Sequence, residues 1–121
     1  CADCYRSMTG QDRKGEELVM NKQEVTDLGF EIVAYSGEAR SELLTALKKA
    51  KEGDFAGVDD LINQAQDCLN EAHNTQTELL TREARGEENE IGIIMIHAQD
   101  HLMTTMLLKD IIGTLIDVYR K

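Results

Sequence analysis

The sequence predicts an all-α fold, an antiparallel up-down-up bundle of three long helices, and three observations support this prediction. The chain has 121 residues and no proline, so the strongest helix breaker is absent. Apolar residues recur at steps of three and four through three stretches of about 30 residues each. Only short polar segments separate these stretches, which is typical of antiparallel neighbouring helices.

The first helix is predicted from Lys22 to Lys51, and Gly53 is expected to end it. Lysines in its last turn suit the negative C-terminal end of the helix dipole. The dipeptide Ser36-Gly37 is expected to mark a kink or a point of close packing. The apolar stripe of this helix consists of Leu28, Ile32, Tyr35, Ala39, Leu43, Ala46 and Ala50.

The second helix is predicted from Phe55 to Ala84, with Asp54 as its N-cap. The polar segment 85–89 separates it from the third helix, which is predicted from Glu90 to Tyr119. The apolar stripe of the second helix consists of Phe55, Val58, Leu61, Ile62, Ala65, Leu69, Ala72, Gln76 and Leu79.

One domain is predicted over residues 20–121, because a chain of this length leaves little room for two. Residues 1–19 are polar and lack periodic apolar positions, so they are interpreted as a flexible leader or an expression-derived tail. Cys1 and Cys4 lie in this segment, and their spacing is interpreted as incidental. Cys68 is expected to be a buried small residue, and His73 a packing or partly exposed histidine.

The chain is acidic, with a formal net charge of −10. This charge argues against non-specific nucleic-acid binding and against adhesion to an anionic membrane surface, since both need Lys and Arg. The longest strongly apolar run, Ile91 to Ile96, is too short to span a bilayer, so no membrane insertion is expected. Three cysteines argue against a disulfide framework and for a reduced, cytoplasmic setting.

The predicted third helix is apolar on more than one face, which a three-helix monomer does not bury. The simplest solution is a homo-oligomer in which this helix is central, and a larger monomer core is the alternative. The apolar residues in question are Ile91, Ile93, Ile94, Met95, Ile96, Leu102, Met103, Met106, Leu107, Leu108, Ile111 and Ile112.

Four polar side chains interrupt this apolar helix. His97, Asp100 and His101 share one face because they are three and four residues apart, and Gln99 lies among them. Three interpretations are open: a polar network that sets the register of an oligomer, a metal site, or a nucleophilic histidine. In the third, Asp100 or a backbone carbonyl orients the imidazole of His97. Spacing alone does not decide among them.

Four segments carry a resemblance to a known family. They are Gly37-Glu38-Ala39-Arg40-Ser41, Ala50-Lys51-Glu52-Gly53-Asp54-Phe55, Leu69-Asn70-Glu71-Ala72-His73 with Gln76-Thr77, and Ile96-His97-Ala98-Gln99-Asp100-His101-Leu102-Met103-Thr104. In these segments the chain resembles the lactose/cellobiose-type enzyme IIA of the bacterial phosphoenolpyruvate-dependent sugar phosphotransferase system. The resemblance covers roughly Met20 to Lys121, and its last segment is highly specific when it follows the third at this distance.

The resemblance implies a homotrimer of three-helix subunits, with His97 phosphorylated on Nε2 by the histidine-containing phosphocarrier protein. It implies transfer of that group to a cysteine of the cognate enzyme IIB during uptake of a lactose-, cellobiose- or chitobiose-type sugar. Asp100 matches the position where three aspartates, one per subunit, meet a divalent metal on the threefold axis. Oxygen ligands favour Mg²⁺ or another hard cation there. Gln99 and His101 are expected to support the phosphorylated imidazole.

Two other functions stay open at this point. One is a metal-binding helical assembly module without transfer chemistry, and the other is a plain protein-interaction bundle. The particular sugar is not predicted, because lactose, cellobiose and chitobiose carriers share these motifs.

Overall fold

The computed structural model describes residues 19–120, which form three long helices and two very short strands. In chain order these are β1 (Val19–Met20), α1 (Lys22–Lys51), α2 (Val58–Ala84), β2 (Glu88–Asn89) and α3 (Ile93–Arg120). The prediction of an all-α protein with three helices is confirmed. The predicted leader, apart from Val19, lies outside the described residues.

A capping box begins α1. The side-chain oxygen of Asn21 accepts from the backbone N–H of Glu24 at 2.8 Å, and the Glu24 carboxylate accepts from the N–H of Asn21 at 3.3 Å. Beyond the other end of the helix, Gly53 has a φ of 80°, a conformation that glycine adopts at little cost. Both ends of α1 therefore lie where the sequence predicts them.

The close-packing glycine of α1 is Gly29 and not Gly37. A Cβ atom at Gly29 would lie 3.1 Å from Cγ2 of Ile94 in α3, whereas one at Gly37 would meet no atom within 4 Å. The prediction of close packing at Ser36-Gly37 therefore holds for Ser36, which is fully buried, and not for Gly37, which faces open space. The helix itself is uninterrupted from Lys22 to Lys51.

The start of α2 lies three residues later than predicted, at Val58. The Asp54 carboxylate accepts the N–H of Ala56 at 3.2 Å, a bond within the preceding turn. The N-cap residue is Gly57, at a φ of 75° and without a side-chain cap. The prediction of Asp54 as the N-cap is wrong because its carboxylate closes this local turn instead.

α1 packs along both other helices, whereas α2 and α3 contact each other much less. Glu31 and Glu42 of α1 meet Thr75 and Cys68 of α2, respectively, so α1 and α2 run in opposite directions. Each helix contributes one buried stripe to the shared core. The buried apolar side chains of the helices are Val25, Ile32, Ala39, Leu43, Ala46, Ala50, Val58, Ala65, Leu69, Ala72, Leu79, Met95, Ala98, Leu102, Ile112 and Ile116.

The segment between α2 and α3 pairs with the residues that precede α1. The strands β1 and β2 are parallel, and the N–H of Glu90 donates to the carbonyl of Met20 at 3.2 Å. Because this pairing engages the backbone up to Glu90, α3 begins at Ile93 and not at Glu90 as predicted. No helix within residues 19–120 has the length and apolar character needed to cross a membrane.

Candidate functional site

One face of α3 leaves large apolar side chains exposed, and we call it the outward stripe. Its members follow one another at steps of three and four, and Asp100 occupies the step between Ile96 and Met103. The prediction that the third helix is apolar on more than one face is confirmed. An exposed apolar surface of this length is typical of a protein contact. The outward stripe consists of Ile93, Ile96, Met103, Leu107, Ile111, Leu115 and Val118.

His97 lies on α3 beside the outward stripe and is exposed. The centroids of the His97 and His101 rings are 4.4 Å apart, and the rings meet edge to face at 76°. His101 is half-buried, and its Nδ1 is enclosed without a hydrogen-bond partner among residues 19–120. The His97 imidazole can therefore meet a partner molecule, while His101 limits the positions that its ring can take.

Asp100 is exposed one turn after His97, as its spacing predicts. The hydroxyl of Thr104 donates to the backbone carbonyl of Asp100 at 2.8 Å, so this bond does not involve the Asp100 carboxylate. His97, Asp100 and His101 thus lie on adjacent turns of one exposed region. The imidazole has a lone pair that can attack phosphorus or bind a metal, and the carboxylate can bind a hard cation.

Gln99 points away from His97 and toward α2. Its side-chain carbonyl accepts a hydrogen bond from the amide of Gln76, and its own amide lies 3.6 Å from the sulfur of Met95. Gln76 is 6% exposed, and its amide also lies 3.6 Å from the sulfur of Met103. The structure therefore does not bring Gln99 together with His97 within one chain. Gln76 was predicted as part of the apolar stripe of the second helix and as one of the residues that carry the resemblance, and neither prediction included its bond to Gln99.

Glu38, Glu42 and Cys68 are the only group of three metal-ligating side chains within residues 19–120, with ligand atoms within 4.8 Å of one another. The Cys68 thiol donates to the Glu42 carboxylate at 3.6 Å. Burial, with the two carboxylates beside the thiol, raises the pKa of Cys68 to about 11, and burial also raises the pKa of Glu42. The hydrogen bond from the neutral Cys68 thiol to the Glu42 carboxylate explains why these side chains lie together. The prediction of a buried Cys68 holds in part, since the residue is half-buried.

No metal-ligating group of this kind forms around Asp100 in residues 19–120 of one chain, although His97 and His101 lie on the neighbouring turn. His73 lies apart from these residues, half-buried in a groove between α2 and α3 that Asn70 and Met106 also line. This agrees with its prediction as a packing or partly exposed histidine.

Comparison with known proteins gives consistent matches over the described residues. The family described as "PTS system, Lactose/Cellobiose specific IIA subunit" matches residues 27–120. The chain is 58% identical over 102 residues to the PTS system lactose-specific EIIA component of Lactococcus lactis subsp. lactis, covering 84% of this chain and 97% of that protein. It is 50% identical over 102 residues to the protein of the same description from Streptococcus mutans serotype c, covering 84% and 98%.

Several solved structures share this fold. The crystal structure of PtcA from S. mutans superimposes with a TM-score of 0.79 at 41% identity, covering 84% of this chain and 100% of that one. The cellobiose-specific enzyme IIA of Bacillus anthracis gives a TM-score of 0.75 at 43% identity, covering 79% and 88%. The IIA(Chitobiose) chain of an IIA(Chitobiose)–HPr complex gives 0.68 at 37% identity, covering 80% and 94%.

The chain is a small helical protein that presents one exposed imidazole on an apolar helix, and the proteins that it matches place it in the class of phosphotransfer proteins. Within that class, the chain belongs to the lactose/cellobiose-specific IIA family of the sugar phosphotransferase system. This is the family that its motifs predicted.

Proposed function

We propose that the chain is a cytoplasmic phosphocarrier whose His97 accepts a phosphoryl group from the histidine-containing phosphocarrier protein and passes it to a cysteine of the cognate enzyme IIB. The sugar taken up would be of the lactose, cellobiose or chitobiose type. The observation that carries this proposal is the exposed imidazole of His97 on the apolar helix α3 of a IIA family member. The similar IIA(Chitobiose) chain that is in complex with HPr supports the choice of donor.

The chemistry asks little of the remaining side chains. The Nε2 lone pair of neutral His97 attacks the donor's phosphorus, an N–P bond forms, and the electron pair of the broken N–P bond returns to the donor imidazole. In the second step, the thiolate of enzyme IIB attacks the same phosphorus. An S–P bond then forms, and the electron pair of the broken bond returns to His97. The net reaction moves one phosphoryl group and consumes no cofactor.

We further propose a homotrimer of up-down-up bundles in which α3 is central. The outward stripe supports this arrangement, because it leaves large apolar side chains such as Leu107, 62% exposed, facing solvent in a single chain. Self-association through α3 would bury this surface and place a copy of Asp100 from each chain near the axis. Sedimentation equilibrium tests this assembly, and a monomer at micromolar concentration would contradict it.

A divalent cation is the proposed companion of Asp100. The carboxylate is exposed and belongs to no group of three metal-ligating side chains within residues 19–120 of one chain, whereas three copies would supply three carboxylates. Like charges brought this close must be protonated or neutralised by a cation, and carboxylate oxygens suit Mg²⁺ or another hard ion. Such an ion would supply positive charge at the subunit contact.

Gln99 and His101 are proposed to support His97 in different ways. The edge-to-face contact of His101 restricts the His97 ring directly. Gln99, bonded to Gln76, would act by holding α3 against α2 so that the imidazole keeps its place on the surface. Neither residue is proposed to exchange the phosphoryl group.

Incubation with a phosphoenolpyruvate-dependent phosphotransfer mixture containing the phosphocarrier protein tests the function. Wild-type chain should acquire an acid-labile, alkali-stable phosphate, the variant His97→Gln should acquire none, and His73→Gln should be labelled as the wild type is. The His73 variant is a matched control because it removes the other helical histidine outside the site. Labelling of the His97→Gln variant would exclude His97 as the acceptor. Absence of label in the wild type, with metal bound at Asp100, would favour the metal-binding assembly module.

A further inference from the structure

An open groove between α1 and α3 passes the exposed carboxylate of Asp100, and it contains one cationic side chain. Its lining residues are Arg40, Leu44, Asp100, Thr104, Thr105 and Leu108. Gly29 lies against Ile94 near the start of both helices, whereas Arg40 lines the groove with Thr104 and Thr105 further along both. The two helices therefore run in the same direction.

Arg40 is exposed and pairs with no carboxylate of residues 19–120. Two other arginines do form ion pairs, Arg82 with Glu87 and Arg120 with Asp59. The Arg40 side chain lines the groove together with Asp100, and His97 lies one turn before Asp100 on α3.

A phosphorylated His97 would add nearly two negative charges next to Asp100 in a chain whose net charge is already −10. This concentration of charge needs a positive partner, and a guanidinium meets two phosphate oxygens at once in a fixed planar geometry. Among the residues that line the groove, Arg40 alone carries a positive charge. We propose that Arg40 is a phosphate-binding residue of this site, which contacts the phosphoryl group on His97 and stabilises the phosphorylated state. This inference rests on the function proposed above.

The test compares Arg40→Gln and Arg40→Lys with Lys48→Gln, which removes an exposed cation from the same helix outside the groove. Each protein is loaded by the phosphocarrier mixture, and the rates of loading and of spontaneous loss are followed with the ³¹P resonance of the phosphohistidine. Arg40→Gln should load roughly tenfold more slowly, or lose its phosphate faster, with a displaced ³¹P resonance, because one charge-assisted contact is lost. Arg40→Lys should fall between it and the wild type, and Lys48→Gln should behave as the wild type.

Two results would overturn the inference. One is an Arg40→Gln variant whose loading, loss and ³¹P resonance equal those of the wild type. The other is an Arg40→Gln variant that changes the oligomeric state before phosphorylation, since the charge would then serve Asp100 and assembly. Failure of the proposed function is distinguishable, because the wild-type chain itself would then carry no label on His97.

Discussion

The side-chain amide of Gln76 in α2 donates to the side-chain carbonyl of Gln99 in α3, and this bond joins the two helices that contact each other least. Gln76 is almost fully buried, so its amide cannot exchange its partner freely for bulk water, whereas Gln99 is half-buried. A buried polar pair of this kind stabilises a structure only while both members are present. The pair also decides that Gln99 faces α2 and not His97.

We expect Gln99→Leu to lower the free energy of unfolding by about 1–3 kcal/mol, because it leaves the buried Gln76 amide unsatisfied. Gln76→Leu should lower it less, because the Gln99 amide that it leaves unpaired is only half-buried. The double variant should lose clearly less than the sum of the two, since no orphaned amide remains. Urea denaturation of the four proteins, at one fixed protein concentration, measures the coupling. Additive losses would show that the two side chains do not act as a pair.

Two glycines of α1 offer a matched comparison. Gly37→Ala should raise the free energy of unfolding by about 0.5–1 kcal/mol, because alanine favours the helix and the new methyl group meets nothing within 4 Å. Gly29→Ala should lower it by about 1 kcal/mol, since its Cβ would crowd Cγ2 of Ile94 at 3.1 Å. Thermal and urea denaturation of both variants measure the difference. An equal rise in the free energy of unfolding at both positions would mean that the Ile94 side chain moves aside at little cost.

The contrast between these glycines illustrates what could be predicted from sequence. Apolar periodicity placed all three helices, and for α1 both ends, because each helix buries one continuous stripe. It could not tell Gly29 from Gly37, since that difference depends on where α3 lies. The starts of α2 and α3 were missed for the same reason: a local turn at Asp54 and strand pairing at Glu90 replaced helical hydrogen bonds.

The site was predictable to a similar extent. Helical spacing placed His97, Asp100 and His101 on one exposed region, since all three lie on a single element. The direction of Gln99 and the nearness of Arg40 to Asp100 depend on contacts between helices, which spacing within one helix does not determine. The proposed phosphoryl acceptor could therefore be named from sequence, while its surroundings could not.

The ion pair of Arg82 with Glu87 is buried, in contrast to the pair of Arg120 with Asp59. The Glu87 side chain is 4% exposed and lies 3.1 Å from the Arg82 guanidinium, whereas Asp59 is 85% exposed at 3.5 Å from Arg120. Glu87→Gln should cost about 1.5–3 kcal/mol, because it removes the buried carboxylate at 3.1 Å and leaves Arg82 with only the half-exposed Glu78 at 3.9 Å. Asp59→Asn, the control, should change stability by less than about 0.5 kcal/mol. Chemical denaturation checks both, and similar losses would contradict the role assigned to burial.

Cys68 should react slowly with thiol reagents in the folded protein. Its pKa is raised to about 11 by burial and the neighbouring carboxylates, so at pH 8 almost no thiolate is present. In a Cys1→Ser, Cys4→Ser background, alkylation by iodoacetamide should accelerate as the pH rises from 9 toward 11. The raised pKa means that the folded state binds the Cys68 proton more tightly than the unfolded state does. Cys68 therefore stabilises the fold below pH 9, and this contribution is lost as the pH rises toward 11. Equal alkylation rates in folded and urea-unfolded protein at pH 8 would contradict this prediction.

The outward stripe provides a test of assembly that does not depend on phosphorylation. Leu107 is 62% exposed in a single chain, so Leu107→Lys should leave the fold of each subunit intact. It should nevertheless prevent the proposed trimer, because self-association through α3 would bury an unpaired ammonium at the subunit contact. Gln64→Lys places the same charge on the exposed face of α2 and should leave assembly unchanged. Sedimentation equilibrium measures the mass and circular dichroism the helix content. A Leu107→Lys protein that sediments as the wild type does would show that the stripe is not the contact between subunits, whereas a monomer with full helix content would place that contact on α3.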